Sequence, residues 1–267
     1  MSRLSETFAR ARAERRVALL PFMTVGYPDL ETSFELMHAM IEAGADGLEL
    51  GIPFSDPLAD GPTIQKASYQ ALQGGAKPRD AIDIVARLRK AGVAAPLILM
   101  GYFNTFLAQG EDRFISDAAR AGADGLIISD LPPEESDGTL AICRKNGLDL
   151  IYLVAPTSDE ARVEEVVQRA GGFIYCVGVV GVTGARSVLS DELPGFLQRL
   201  RVKTDLPLAV GFGISKREHI EKLAGLADAA IVASALIDIV ESSPREQRVK
   251  RVRDYVEVLT GRMEAQA

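Results

Sequence analysis

The segment EAGADGLELG, residues 42–51, joins the end of an amphipathic stretch to a short apolar run through Gly, Ala and Asp. Related phrases recur as RAGADGLIISD (120–130), RAGGFIYCVG (169–178) and GLADAAIVASA (225–235). They fall at every second apolar run of the chain. A barrel assembled from repeated βαβα quarters would retain such a repeat, so these four phrases predict the fold.

Apolar runs rich in Val, Ile and Leu alternate along the whole chain with segments of helical length, which predicts parallel βα units. We expect a single (β/α)8 TIM barrel over residues 1–267, with an extra N-terminal helix and additional short helices on the strand-exit side. A doubly wound open sheet is less favoured because no GxGxxG follows the first strand. The predicted strands are residues 18–26, 46–51, 96–102, 124–130, 149–156, 172–178, 207–213 and 228–235.

Proline and glycine mark the expected helix boundaries. Three helices are predicted from about Pro28 to Gly44, from Pro62 to Gly74, and from Pro78 to about residue 91. Two more, one leading and one trailing, should pack over the barrel because their apolar residues have helical spacing. These residues are Leu4, Phe8, Ala11, Val249, Val252, Val256 and Leu259.

Composition narrows the possible partners. The chain has 267 residues, 47% of them hydrophobic, a net charge of -7 and a pI near 5.1. No basic cluster offsets this acidic balance, which argues against a nucleic-acid or anionic-membrane surface. No apolar run is long enough to span a bilayer, and the N-terminus lacks a secretory pattern. Cys143 and Cys176 lack metal-type spacing, so we expect a soluble cytoplasmic protein with reduced cysteines.

Two carboxylates stand out in ELGIPFSDPLADGPTIQ, residues 49–65. Period-two alternation sends Leu48 and Leu50 outward and Glu49 into the barrel mouth, where the adjacent glycines should leave space. A structural ion pair is the alternative for Glu49, although no Lys or Arg occurs within the predicted strands. Asp60 remains open between a site residue and a helix cap, because Asp before Gly-Pro is a common helix start. Asp56 and Asp130 could likewise be turn or cap residues.

Missing residue types narrow the reaction class. His38 and His219 both fall in predicted helices, so an imidazole metal site is not expected. No lysine lies at a strand end for Schiff-base chemistry, and no Ser has a partner His for acyl transfer. The remaining possibility is acid-base catalysis by carboxylates, on a substrate that can accept electrons itself.

A phosphate site is predicted at the last two strand exits. GFGIS (211–215) and the small residues Ala233, Ser234 and Ala235 allow backbone N–H groups to approach an anion, and the helix that starts there adds its dipole. Beside them, the long loop 179–190 has glycines around Thr183 and could close as a lid. Aromatic side chains at strand ends could line a flat apolar pocket, and these are Phe22, Tyr102, Tyr175 and Phe212.

ELGIPFSDPLADGPTIQ, the GVTG loop at 181–184 and GFGIS occur together in an order that resembles the tryptophan synthase alpha chain family over nearly the whole chain. The resemblance implies cleavage of indole-3-glycerol phosphate to indole and glyceraldehyde 3-phosphate. It makes Glu49 the proton-transferring residue and Asp60 the anchor of the indole N–H. It also places Phe22, Tyr175 and Phe212 around the indole, and Gly184, Gly213, Ser234 and nearby amides around the phosphate.

The same resemblance implies a partner, a beta chain that carries pyridoxal phosphate (PLP), in an αββα heterotetramer. This chain itself would hold neither cofactor nor metal. The loop with Pro53, Asp56 and Pro57, together with the region around Asn104, would form the contact surface. Ala233 departs from the family, which frequently has Gly there. Two other functions stay open: a sugar-phosphate isomerase built on a phosphate-binding barrel, and a chiefly allosteric subunit.

Overall fold

A computed structural model describes residues 2–177, 192–211 and 213–264. Eight parallel strands close into a barrel in chain order, with β1 paired to both β2 and β8. The predicted TIM barrel and all eight strands are therefore confirmed, each strand being shorter than its apolar run. The strands are β1 (Ala18–Thr24), β2 (Leu48–Gly51), β3 (Leu97–Gly101), β4 (Gly125–Ile128), β5 (Asp149–Val154), β6 (Ile174–Cys176), β7 (Leu208–Val210) and β8 (Ala229–Val232).

Helices separate the strands and surround the barrel. They are α1 (Arg3–Ala13), α2 (Leu30–Glu42), α3 (Pro62–Gln73), α4 (Pro78–Lys90), α5 (Phe103–Gln109), α6 (Glu111–Ala121), α7 (Asp137–Lys145), α8 (Glu160–Arg169), α9 (Leu193–Arg201), α10 (Arg217–Glu221), α11 (Ser234–Ser242) and α12 (Arg248–Thr260). Short 3-10 turns cover Pro133–Glu135 and Arg245–Gln247. None of the described helices is long and apolar enough to cross a membrane.

The predicted helix boundaries agree with the observed ones for local chemical reasons. Asp29 caps α2, because its side chain accepts a hydrogen bond from the Thr32 N–H at 2.8 Å. Pro62 and Pro78 open α3 and α4, where a missing N–H costs no intrahelical bond. Gly74 follows the last residue of α3 as predicted.

The core has two layers. Leu48 and Leu50 belong to the outer layer between strands and helices, whereas Leu20 and Ile98 belong to the layer inside the barrel. Helix α1 closes the N-terminal end of the barrel with its predicted apolar face: Leu4, Phe8 and Ala11 are buried in the inner layer. The trailing helix α12 buries Val252, Val256 and Leu259 in the outer layer.

The Asp of the repeated phrase joins neighbouring strands at this N-terminal end. In three copies, one carboxylate oxygen accepts a hydrogen bond from a backbone N–H of the preceding strand. The bonds are Leu19 N–H to Asp46 (2.9 Å), Leu97 N–H to Asp124 (2.8 Å) and Leu208 N–H to Asp228 (2.9 Å). The Asp of the repeat thus provides a hydrogen bond to the preceding strand, in addition to its place at the start of a strand.

Arginines from the N-terminal segment neutralise the same three carboxylates. Arg3 pairs with Asp124 at 2.9 Å, Arg12 with Asp228 at 3.0 Å, and Arg16 with Asp46 at 2.6 Å. Asp124 and Asp228 also pair with Arg89 of α4 and Arg201 of α9. We call these three carboxylates and their arginine partners the Asp–Arg clasps.

Candidate active site

Glu49 occupies the barrel interior near the C-terminal ends of the strands. It follows the predicted alternation on β2, and only 1% of its surface is exposed. Neither of its carboxylate oxygens has a hydrogen-bond partner among the described residues, which leaves the alternative of a structural ion pair without support there. Desolvation by burial raises the pKa of Glu49 to about 8. A carboxyl group of this kind holds its proton at neutral pH and can both donate and recover it.

Gly47 and Gly51 leave room for side chains of β1. A Cβ atom at Gly51 would lie 2.3 Å from the Cζ atom of Phe22, and one at Gly47 would lie 2.9 Å from a methyl carbon of Leu20. The expected space beside Glu49 is therefore used by the neighbouring strand. The physical reason is the parallel register, which places Phe22 directly beside Glu49.

Asp60 lies in the loop after β2 and accepts a hydrogen bond from the Tyr102 hydroxyl at 2.9 Å. That hydroxyl oxygen also accepts from the Ala59 N–H at 3.0 Å, and the Tyr102 ring stacks on Phe54 with 5.1 Å between ring centroids. Burial raises the pKa of Asp60, and the Tyr102 hydrogen bond partly offsets this effect. Helix α3 is capped by Gly61 without a side-chain bond, so the Asp60 carboxylate is not its cap.

The charges of both carboxylates act on Tyr175. It is buried in the barrel interior, and its pKa is raised by desolvation first and then by the charges of Glu49 and Asp60. Its ring lies over Gly211, where a Cβ atom would come within 2.2 Å of the tyrosine hydroxyl oxygen. A residue larger than Gly at 211 would therefore displace the ring.

A pocket beside these groups combines apolar walls with isolated polar atoms. Phe22, Ile64, Met100 and Tyr102 line it together with Asp60. Its lining has the chemical character that a flat aromatic ring with one polar N–H would contact. Three predicted substrate-binding residues, Thr183, Gly184 and Phe212, lie outside the described residues.

Sequence reasoning missed two hydroxyl groups in the same pocket, those of Thr24 and Ser129. Both oxygens are buried and have no hydrogen-bond partner in the described part of the chain. Their positions were available from alternation, since Thr24 follows the inward Phe22 by two residues and Ser129 follows the inward Ile127 by two.

The predicted phosphate residues lie at the exits of β7 and β8, which pair with each other. Gly213 has φ +69°, and apart from its two chain neighbours no atom of the described residues lies within 4 Å of the position that a Cβ atom would take. Helix α11 begins at Ser234 with Ala233 as N-cap, and no side chain in the described part of the chain caps its first N–H groups. Ala233 has φ -125° and ψ -79°, so its backbone is not in the left-handed conformation that favours Gly.

The remaining candidates do not line the pocket beside Asp60. Asp130 accepts a hydrogen bond from the Phe103 N–H at 2.7 Å at the start of α5, and Asp56 is exposed in its loop. His38 is partly exposed on α2, near Glu42, whereas His219 of α10 is buried. Cys143 and Cys176 are buried free thiols. The described residues contain no group of His, Cys, Asp and Glu side chains that could hold a metal ion.

Comparison with known proteins agrees with this geometry. The model of the family described as "Tryptophan synthase alpha chain" matches residues 8–267. A tryptophan synthase alpha chain from Roseiflexus sp. (strain RS-1) is 53% identical over 98% of this chain and all of that relative. The solved alpha subunit from Legionella pneumophila has a TM-score of 0.90 at 37% identity, covering 98% of each chain. An aminoacrylate-bound tryptophan synthase from M. tuberculosis has a TM-score of 0.87 at 36% identity, covering 97% of this chain and 98% of that one.

Proposed function

The chain belongs to the tryptophan synthase alpha chain family, and we propose that Glu49 and Asp60 perform the chemistry of this family in it. It is a carbon–carbon lyase that cleaves indole-3-glycerol phosphate to indole and glyceraldehyde 3-phosphate, a late step of L-tryptophan biosynthesis. The observation that carries the residue assignment is the buried carboxyl of Glu49, which has no hydrogen-bond partner among the described residues and whose pKa is raised to about 8.

The proposed reaction begins with the neutral Glu49 carboxyl giving its proton to indole C3. The ring becomes an iminium-like electron acceptor, so no lysine or metal is needed. The Glu49 carboxylate then removes the proton of the glycerol hydroxyl next to the ring. The carbon–carbon bond breaks as that carbon becomes the aldehyde, and its electron pair returns to the ring.

Asp60 acts on the other side of the ring in this proposal. Its carboxylate accepts a hydrogen bond from the indole N–H and stabilises the positive charge that develops on the nitrogen. The Tyr102 hydroxyl supports this role, because its 2.9 Å hydrogen bond favours the charged form of Asp60. Phe22, Tyr102, Tyr175 and Phe212 would enclose the ring.

The phosphate would bind at the other side of the barrel mouth. The backbone N–H groups of Gly213 and Ser234, with Ala233 at the N-cap of α11, support this placement because they lie at paired strand exits. Thr183 and Gly184 complete the proposed site by the family resemblance.

The partner is the tryptophan synthase beta chain, with which the chain forms a heterotetramer. We propose that PLP resides in that partner and that the loop with Pro53, Asp56 and Pro57 contacts it. Two exposed apolar side chains support this surface: Leu58 is 91% exposed and Leu107 is 52% exposed, and Leu107 lies three residues beyond Asn104. A cytoplasmic location and a single domain over residues 1–267 belong to the same proposal.

Replacing Glu49 by Gln tests the residue assignment. The amide keeps the shape of the side chain but carries no transferable proton, so indole release should fall roughly 100- to 10,000-fold. Glu35→Gln, an exposed change on α2, is the matched control and should keep full activity. Substantial cleavage by a folded Glu49→Gln protein would contradict the assignment.

Two further measurements distinguish the lyase from the two alternative functions, a sugar-phosphate isomerase and a chiefly allosteric subunit. Indole propanol phosphate should raise the melting temperature more than triose phosphates do, because only the former fills the aromatic pocket. The opposite order would favour a sugar-phosphate isomerase. Indole release with and without the beta chain would show whether this chain catalyses or chiefly regulates, since a purely allosteric subunit would release no indole in either case.

A further inference from the structure

The backbone of Ser215, two residues beyond Gly213, donates one hydrogen bond to a side chain and accepts one from another. Its N–H donates to Nδ1 of His219 at 3.2 Å, and its carbonyl oxygen accepts from the Tyr255 hydroxyl at 2.7 Å. His219 is only 3% exposed, and Tyr255 is half-buried. Both backbone hydrogen-bonding groups of Ser215 are therefore satisfied by side chains from two different helices, α10 and α12.

This support begins directly beside the proposed phosphate site. Gly213 is exposed with positive φ, and apart from its two chain neighbours no atom of the described residues lies within 4 Å of the position that a Cβ atom would take, so these residues do little to hold it in place. Ile214 is buried in the outer core and anchors the next residue. The hydrogen bonds to Ser215 complete a short rigid segment on which the orientation of the Gly213 N–H depends.

Helix α12 reaches the other half of the phosphate site as well. Val252 and Val256 are buried in the same core as Leu236 and Ile237 of α11, whose N-terminus is the second proposed anion-binding element. Helix α12 thus contacts Ser215, two residues beyond Gly213, and packs against α11.

We propose that His219 and Tyr255 are positioning residues for phosphate binding, acting through the Ser215 backbone and touching neither the substrate nor the reacting atoms. The inference rests on the proposed function, because it assumes the phosphate at Gly213 and Ser234. Its consequence is a separation of effects: loss of either side chain weakens binding of the phosphate group and leaves the acid-base step at Glu49 intact.

The test compares His219→Leu and Tyr255→Phe with His219→Asn in the full-length chain. Each of the first two variants removes one hydrogen bond to Ser215. KM for indole-3-glycerol phosphate should therefore rise roughly threefold to tenfold, with kcat nearly unchanged. The Asn side chain offers an oxygen close to the place of Nδ1, so His219→Asn should restore most of the affinity. His38→Leu and Tyr152→Phe are matched controls, and Tyr152 also makes a buried hydroxyl contact, to Ser136 at 2.6 Å.

The double variant His219→Leu/Tyr255→Phe should lose less affinity than the two single losses multiplied together, because both side chains hold the backbone of the same residue. Tyr255→Phe removes one oxygen atom and keeps the ring, so the test survives if His219→Leu fails to fold. Unchanged KM in Tyr255→Phe, or an equal rise of KM in Tyr152→Phe, would overturn the proposal.

Thermal shift with inorganic phosphate and with glycerol 3-phosphate gives a readout that does not need cleavage. Both anions should stabilise the wild-type chain more than they stabilise His219→Leu or Tyr255→Phe. Equal stabilisation of all variants would overturn the positioning role. A wild-type chain that binds phosphate but releases no indole, alone or with the beta chain, would instead contradict the proposed function and leave the positioning result intact.

Discussion

Asp46 and Glu49 lie three residues apart, and both are almost completely buried, yet their surroundings are opposite. Asp46, at the N-terminal end of the barrel, accepts a hydrogen bond from the Leu19 N–H and pairs with Arg16. Glu49, toward the C-terminal end, has no partner among the described residues, and burial raises its pKa to about 8. Burial of an acid therefore indicates nothing by itself, and its partners decide its role.

The N-terminal end of the barrel therefore contributes to stability, whereas the C-terminal end provides the chemistry. The Asp–Arg clasps pair these carboxylates with arginines and tie α1, α4 and α9 to the strands. Glu49 is left without such compensation, which destabilises its charged form but provides a carboxyl that keeps a proton at neutral pH. Substitutions at the two ends should accordingly have opposite effects on stability and activity.

The largest stability effect is expected for Asp124→Asn. Asp124 is 6% exposed and accepts bonds from the Leu97 N–H, Arg3 and Arg89, so the change leaves buried donors and charge without compensation. The free energy of unfolding should fall by about 3 kcal/mol, as when one partner of a buried pair is removed. Urea denaturation measures this loss, and kcat of the folded fraction should stay near the wild-type value.

Asp254→Asn is the matched control for that variant. Its partner, Lys250, is exposed on the same helix, and such pairs contribute less than about 0.5 kcal/mol. Equal losses in the two variants would show that the Asp124 clasp is no stronger than an exposed ion pair.

The pH dependence of stability should differ between wild type and Glu49→Gln. Glu49 has a pKa of about 8 in the folded chain against an ordinary value of 4.5. Between these values the folded chain holds a proton that the unfolded chain has released, so rising pH favours unfolding. This contribution is fully present below about pH 4.5 and is lost as pH rises through about 8, at about 1.4 kcal/mol per pH unit.

Denaturant titrations at several pH values from 5 to 8 measure this difference, because the other titrating groups are common to both proteins. Wild-type cleavage should also decline above about pH 8, as Glu49 loses the proton that it donates. Parallel stability curves for the two proteins would mean that Glu49 is ionised at neutral pH.

A smaller effect is expected for Tyr102→Phe, which removes the donor that favours the charged form of Asp60. The pKa of Asp60 should rise further, so the acidic limb of the rate profile should move to higher pH. Activity at neutral pH should fall roughly tenfold, the scale of one hydrogen bond to a charged group. Cleavage assays across pH measure both changes, and an unshifted acidic limb would show that the Tyr102 hydroxyl does not tune Asp60.

Local rules explain which of these features could be predicted from sequence. Alternation placed Glu49 inward and Leu48 and Leu50 outward, because a strand has period two wherever it occurs. Proline and glycine located α3 and α4 for similar reasons. The small residues at 233–235 located a helix start that depends only on its own few residues.

Hydrogen-bonded residues that are far apart in the sequence could not be predicted from these local rules. Tyr102 reaches Asp60 across 42 residues, and Arg12 reaches Asp228 across 216, because the closed barrel brings these segments together. The repeat displayed Asp46, Asp124 and Asp228, but their arginine partners follow no shared spacing. Whether a buried acid has a compensating partner is therefore decided by the fold and not by the local sequence.

The smallest effect tests whether the N-terminal end can be stabilised without any change in catalysis. Helix α1 ends in a Schellman motif, with Arg15 N–H bonded to Arg12 C=O and Arg16 N–H to Ala11 C=O. Arg15 has φ +54°, a conformation that favours Gly, so Arg15→Gly should stabilise the chain by roughly 0.5–1 kcal/mol and raise Tm by about 2 °C. Arg15→Ala keeps the strain and should give no gain. Equal gains in Arg15→Gly and Arg15→Ala would show that the effect comes from removing a positive charge among neighbouring arginines. A change in kcat would show that the N-terminal end of the barrel also affects catalysis.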